Sequence, residues 1–450
     1  MNSVPNEILS QIFQSCFRNQ RTERFGCACP SHSEAPLLLL RICRRWHDCA
    51  MATPSLWSQL SIGRGTRRNM LHSVTVAKGW LDRAVRAPLS LDLCYGKRDP
   101  EQSTQNAIHA AMANIFTPSR IWKAVFLEVD KPMSNPYVDA IFEAVLAHAP
   151  LLESFAFSLT GFANLVPIVP TTKIEIGWTP YLSSISVQIK QPTHSFHLSF
   201  SNVHTYGNIR ELTLHWPESI EHAIHILGRC PNVEVLHICL RGEVQTPPQT
   251  IGLTLERLHT LGVLAMNSGN TDFGDFFHAL TTPALVQLSI QNYDLWAHSP
   301  PSNWPPLSQL LERSQPPLKS LTLIGPCMID DDIISCLQHT RELRVLSGEG
   351  HLFSSKVMDA LTPSVNPPTI PLCPLLTKIG LQGNPADFSA VTAMTYERWK
   401  HSKQDPINDE VKFRIHMVEI VEMPSEHCSR FLDCQGMAAC VEEGMELRLT

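Results

Sequence analysis

Residues 258–263 read LHTLGV, residues 285–290 read LVQLSI, and residues 318–323 read LKSLTL. Each has apolar residues at the first, fourth and sixth places. The last two alternate with other residues, so they share one face of a short strand. The first position precedes the strand and turns the chain into it. Earlier copies are Trp122/Val125/Leu127, Leu152/Phe155/Phe157, Leu182/Ile185/Val187, Ile209/Leu212/Leu214 and Val233/Leu236/Ile238. Leu376/Ile379/Leu381 is a later copy, and Leu343/Leu346 is a degraded one with Gly348 in its third place. Leu89/Leu91/Leu93 reads as the start of the series. From Trp122 onward, successive copies begin 24 to 33 residues apart.

Helical patterns lie between many of the copies, at residues 141–148, 221–227, 276–280, 307–311 and 331–337. Pro150, Pro231, Pro283 and Pro317 mark connections, and the 34 prolines of the chain fit many short elements. A single strand–helix unit buries too few side chains to offset the entropy of ordering it, so neighbours have to stack. The interval is that of leucine-rich repeats. The expected class is α/β: all-α helices at the N-terminus, then an irregular leucine-rich-repeat solenoid with a parallel curved sheet.

Composition agrees. The chain has 450 residues, 43% apolar and 17% charged, enough apolar content for a large core. A net charge of −6 argues against a binder of nucleic acid driven by phosphate contacts. No apolar run is long enough for a membrane span, and the opening residues lack the basic and apolar regions of a signal peptide. There is also no Asn-X-Ser/Thr acceptor. A cytoplasmic or nuclear location is expected, with the 14 cysteines reduced and mostly buried. Residues 1–100 carry a net +7 and the remainder −13, which marks a basic N-terminal module on an acidic body.

In that module Pro5 suits a first helical turn, and Ile8, Leu9, Ile12, Phe13 and Cys16 follow at helical spacing. After a polar loop from Arg18 to Ala35, a second apolar helix is expected through Leu37, Leu38, Leu39, Leu40, Ile42, Cys43 and Trp46. Thr53-Pro54 breaks it, and Ser55 to Leu60 reads as a short helical turn. The stretches VPNEILSQIF (residues 4–13) and LLLLRICRRWHDCAMATPSLWSQL (residues 37–60) resemble an F-box, of the F-box-like type abundant in mushroom-forming fungi. The resemblance implies that Pro5, Ile8, Leu9, Ile12, Phe13, Leu40, Ile42, Cys43 and Trp46 bind the small acidic Skp-type adaptor of a cullin ubiquitin ligase. Helices this apolar on more than one face also need a cover in purely physical terms. That cover is a partner, or the domain behind them.

The expected organisation is an F-box-like domain over residues 1–62, a linking helix over 63–88, repeats over 89–385 and a C-terminal cap over 386–450. In the cap, Val411, Phe413, Ile415 and Met417 alternate like an edge strand. Ser425 starts a helix to Glu443, Gly444 ends it, and residues 445–449 form a last strand.

No P-loop, H-E-x-x-H, G-x-S-x-G, kinase or C-x-x-C pattern is present. Cys27, Cys29 and His32, with Cys16, are an unusual set for zinc and read as a loop; Cys428, Cys434 and Cys440 near His427 read as scattered thiols. His215, His225 and His237 are isolated, and Asp330, Asp331 and Asp332 suit a helix start. No enzyme, metal or cofactor is expected.

Function should instead sit on the outward strand positions, which are small and polar: Ala156, Ser158, Ser186, Gln188, Thr213, His215, His237, Cys239, Gly262, Ser289, Gln291, Thr322, Gly380 and Gln382. Of these, Thr213, His215, His237, Ser289, Gln291, Thr322 and Gln382 are the expected contacts to an unidentified target protein. The expected function is a substrate-receptor subunit of a Skp–cullin–F-box ligase. The alternative is a leucine-rich-repeat scaffold with a degenerate F-box acting as a cap.

Overall fold

Each leucine pattern folds as a short strand, and the strands pair side by side in parallel. The structure is a computed structural model. It describes residues 4–18, 30–63, 70–95, 102–117, 119–129, 135–160, 172–189, 195–201, 206–241, 252–266, 274–292, 304–325, 328–365, 368–369, 371–385, 388–404, 415–421, 433–434 and 436–449. The chain divides into two compact units, Met1–Glu218 and Ser219–Thr450.

The first unit opens with α1 (Asn6–Arg18), a 3-10 turn at Leu39–Arg41, α2 (Arg44–Met51) and a second 3-10 turn at Pro54–Leu56. Then come β1 (Gln59–Ile62), α3 (Met70–Arg83), β2 (Leu89–Tyr95), α4 (Gln102–Ala113), β3 (Trp122–Val129), α5 (Asn135–Leu146) and β4 (Ser154–Leu159). β5 (Thr172–Ile176), β6 (Ser184–Ile189), β7 (Phe196–Phe200) and β8 (Glu211–His215) complete it. The parallel order is β1-β2-β3-β4-β6-β8.

The second unit holds α6 (Ile220–Arg229), β9 (Val235–Arg241), β10 (Leu253–Thr254), β11 (Thr260–Met266), α7 (Gly274–Ala279), β12 (Leu280–Thr281), β13 (Gln287–Asn292), α8 (Pro306–Ser314) and β14 (Ser320–Ile324). It continues with α9 (Asp330–Gln338), β15 (Val345–Gly350), α10 (Ser355–Leu361), β16 (Ser364–Val365), β17 (Pro368–Thr369), β18 (Lys378–Pro385), α11 (Phe388–Gln404), β19 (Met417–Val421), α12 (Met437–Glu442) and β20 (Glu446–Leu449). Its parallel order is β9-β11-β13-β14-β15-β18-β19-β20. Both units thus alternate strand and helix in the manner of leucine-rich repeats.

The motif positions form the core ladder. Leu261, Leu288, Leu321, Leu346, Ile379 and Val418 pair in register and are all buried. The first motif position is set by a recurring turn: the amide of Leu258 donates to Leu255 O at 3.3 Å, Leu285 to Thr282 O at 3.3 Å and Leu376 to Cys373 O at 3.1 Å. Leu152 and Leu182 do the same with Ala149 O and Thr179 O.

The degraded copy also has a reason. A Cβ on Gly348 would lie 2.0 Å from Leu323 O, so the backbone there requires glycine. Leu352, from a 3-10 turn at His351–Phe353, comes within 2.8 Å of the same point and is itself buried. The leucine missing from the strand is supplied from the connection.

Two arginines, one fully buried and one exposed, bind repeat to repeat in the second unit. Arg398 on α11 is fully buried and donates to Leu361 O and Leu372 O at 2.7 Å and to Cys373 O at 3.2 Å. Burial pushes its guanidinium down to about 10. Arg313 on α8 donates to Leu280 O at 2.9 Å and to Phe277 O, which ties it to the C-terminal end of α7.

The structure departs from or adds to the local expectations at several points. The second N-terminal helix does not run from Leu37 to Trp46: Cys43 is extended (φ −161, ψ 165), its Sγ accepts from Trp46 N, and α2 starts only after it. The tail of the Ser55–Leu60 turn is β1, and the sheet therefore starts before Leu89. Preceding β6 and β8, β5 and β7 pair with each other where helices stand elsewhere, because TKIEI and FHLSF alternate with period two and bury Ile174, Ile176, Phe196 and Leu198. The expected run to Glu443 is broken before Met437, and Gly436 stands at the N-cap of α12. Residues 411–414 and Ser425 lie outside the described residues. β19 and β20 extend the ladder beyond β18. Among the described residues no helix is long and apolar enough to cross a membrane.

Candidate functional site

The N-terminal helices have one packed face and one open face. Leu9 and Phe13, four residues apart on α1, are buried, and the Phe13 ring lies 5.0 Å from that of Trp46. Polar contacts fix the helix pair: the Ser10 and Thr53 hydroxyls are 2.9 Å apart, Gln14 Nε2 donates to Ser55 Oγ at 2.7 Å, and Arg45 donates to Asn6 Oδ1 and Val4 O. A cavity of about 690 Å³ between α1 and α2 is lined by Asn6, Glu7, Ser10, Arg44, Arg45, Asp48 and Thr53, among others.

The other side of α1 presents Ile8, 45% exposed, and Ile12, 47% exposed, and Val4 ahead of the helix is exposed too. Leu38 and Ile42, one turn apart, are also open, Ile42 at 53%. Arg41 and Arg44 flank Ile42 and are exposed. The residues expected to bind the adaptor therefore divide. Pro5, Ile8, Ile12, Ile42 and Cys43 are exposed, Leu40 and Trp46 are half-buried, and Leu9 and Phe13 are interior. Helical spacing marked the apolar positions but could not say which of two apolar faces was covered. Leu38 belongs with the exposed group and was not singled out.

This module is locked to the first strands. The buried Trp57 indole N–H donates to Ala50 O at 2.9 Å. Its ring meets that of Trp80 on α3 at 5.0 Å, nearly perpendicular, and the Arg83 guanidinium sits 4.8 Å from it. β1 then pairs with β2.

The outward strand positions form register rows. In the second unit one row runs His237, Gly262, Ser289, Thr322, Ser347, Gly380, Glu419 and Arg448. His237 is exposed; Ser289, Gln291, Thr322 and Gln382 are half-buried, as are Thr213 and His215 in the first unit. These side chains are accessible and short. Charge enters at the far end, where Lys378 and Glu419 pair at 2.6 Å. Ala156, Ser158 and Cys239 are buried and Gly380 is covered, so they offer no outward contact. On β2 to β4 the outward face is closed generally: Ser90, Asp92, Phe126, Ala156 and Ser158 are all buried, and Asp92 Oδ2 accepts from Ser61 Oγ at 3.3 Å.

The acids at the start of α9 have structural partners. Asp331 binds Lys356 at 2.6 Å and holds its ammonium above the ordinary lysine range, while Asp330 lies 3.6 Å from His351. These acids stand in the first turn of α9, where they favour the helix dipole. Burial pushes the thiol of Cys230 up to about 12 and that of Cys373 up to about 11, so neither is a ready nucleophile. His225 and His32 are exposed, Cys434 is half-buried and Cys440 buried. Cys27, Cys29, His427 and Cys428 lie outside the described residues.

No protein-family model matches the chain, and no curated protein sequence does either.

Proposed function

We propose that this chain is the substrate-receptor subunit of a Skp–cullin–F-box ubiquitin ligase. Its N-terminal helices would dock a Skp-type adaptor, and the outward row of its strands would hold a target protein. The observation that carries this reading is the open face of α1 and the turn after it: Ile8, Ile12, Leu38 and Ile42 stay exposed on elements whose other sides are packed. An apolar face of this kind is characteristic of a helix-docking surface. Arg41 and Arg44 beside it, and the net +7 of residues 1–100, suit an acidic partner and would speed the encounter. Chemistry would belong to other subunits.

A second reading has its own support. Trp57, Trp80 and β1 bind the module to the repeats, which is what a cap on a non-ligase scaffold would do. Size-exclusion chromatography of the full chain with a purified Skp-type adaptor separates the two. The receptor reading expects co-elution, weakened about tenfold or more by Ile8→Ser with Ile42→Ser, at an unchanged melting temperature. A folded wild-type chain that does not co-elute ends it, and a loss of folding in the double variant supports the cap.

A further inference from the structure

Within the repeats, the exposed large apolar side chains among the described residues are Leu151, Trp178 and Tyr181. Leu151 and Tyr181 each stand immediately before the first motif leucine of neighbouring repeats, Leu152 and Leu182, whose strands β4 and β6 are paired. Trp178 is drawn beside them by an isolated parallel bridge to His148: its amide donates to Ala147 O at 3.1 Å, and Ala149 N donates to Trp178 O at 3.2 Å. The His148 and Trp178 rings stack, 4.9 Å apart and 19° from parallel.

The turn carrying these rings is pinned from behind. Gly177 N donates to Leu146 O at 2.9 Å, and a Cβ on Gly177 would lie 2.1 Å from Ala147 O. Tyr206 Oη donates to Gly177 O at 2.8 Å, Asn208 Nδ2 to Pro180 O, and Leu182 N to Thr179 O at 3.1 Å. A fixed backbone therefore holds Trp178 49% and Tyr181 61% exposed. The indole N–H and the phenol O–H have no hydrogen-bond partner among the described residues.

We propose that this patch binds a short proline-rich segment of another protein in the polyproline II conformation. The open area is roughly 300 Å², judged from the size of such side chains, against about 800 Å² per partner in a stable protein interface. A second copy of the chain is too large an occupant. Proline has no N–H, and a polyproline II segment leaves its carbonyls unpaired, so the ligand offers acceptors and compact apolar rings. The patch offers the complement: two aromatic faces, each with a free donor. The nearby polar groups that a sugar would need, Tyr206 Oη, Asn208 Nδ2 and Ser183 Oγ, are already engaged with backbone carbonyls. This site is independent of adaptor docking.

The test is fluorescence anisotropy of a labelled decaproline peptide with the full chain. Saturable binding is expected, with none for a Gly-Ser peptide of equal length. Tyr181→Ala and Trp178→Ala should each weaken it about tenfold at an unchanged melting temperature. Tyr181→Phe, which keeps the ring and loses the donor, should weaken it several-fold. Absence of saturable binding to the folded wild type, or undiminished binding to Tyr181→Ala, overturns the proposal. So does binding of cellohexaose in place of decaproline, or self-association that depends on Tyr181.

Discussion

The two units share one construction and differ in what they leave uncovered. In the first, Met1–Glu218, strands are followed by helices or by the β5–β7 pair, and large apolar side chains from Val4 to Tyr181 reach solvent. In the second, Ser219–Thr450, no described residue is an exposed large apolar side chain, and the outward strand positions are short and mostly half-buried. The outward face of β2 to β4 is closed over Asp92 and Phe126, whereas that of β13 to β15 is lined by Ser289, Thr322 and Ser347. Sealing is therefore not a property of the repeat itself. Where the first unit leaves isoleucine, tryptophan or tyrosine open on well-packed elements, folding alone does not account for the choice of residue.

The sharpest form of this contrast lies on one helix. Phe13→Ala empties a fully buried position and should cost about 3–5 kcal/mol, read as a loss of denaturant midpoint. Ile8→Ser, one and a half turns away, should stay within about 0.5 kcal/mol. Equal losses would mean that both faces are interior, and the distinction between the units would collapse.

The next effect concerns the sealed unit. Arg398 reaches three backbone carbonyls from a fully buried site, so Arg398→Met leaves acceptors unmatched. A loss of about 3 kcal/mol is expected in urea unfolding. A neutral result would show that the interior of the second unit does not depend on this tie.

The smallest effect is in pH. His109 on α4 is buried in the first unit, its ring 5.5 Å from that of Tyr95, and burial holds its pKa below the ordinary imidazole value. The unfolded chain then binds more protons below about pH 6.5, so stability contributed by neutral His109 is present above that pH and is lost on acidification. Thermal melts from pH 7.5 to 5 should show the decline, and His109→Gln should flatten it. An unchanged slope would remove His109 as the cause.

The repeat was legible because Leu258, Leu261 and Val263 and their counterparts carry both a period and an interval. What escaped was whatever periodicity does not encode. QLSI at Gln59–Ile62 is too short to distinguish from the end of a turn until β2 is seen beside it. Alternation sets Ala156 and Ser158 apart from Phe155 and Phe157 but says nothing about whether their face is covered, and all four are buried. The open side of α1 was half legible: Ile8 and Leu9 look equivalent in sequence, and only Trp46 packed on Phe13 tells inside from outside. Trp178 and Tyr181 left a faint signal, two aromatics around Thr-Pro just before a motif leucine.

The backbone turn that recurs ahead of the motif leucines has a genetic consequence. Because Leu258, Leu285 and Leu376 each take their position from a residue three places earlier, their strands restart their own phase locally. Codons gained or lost in an outer connection leave the downstream leucines in frame with the ladder. Such a gene can lengthen, trim or exchange its loops without disturbing what lies beyond them.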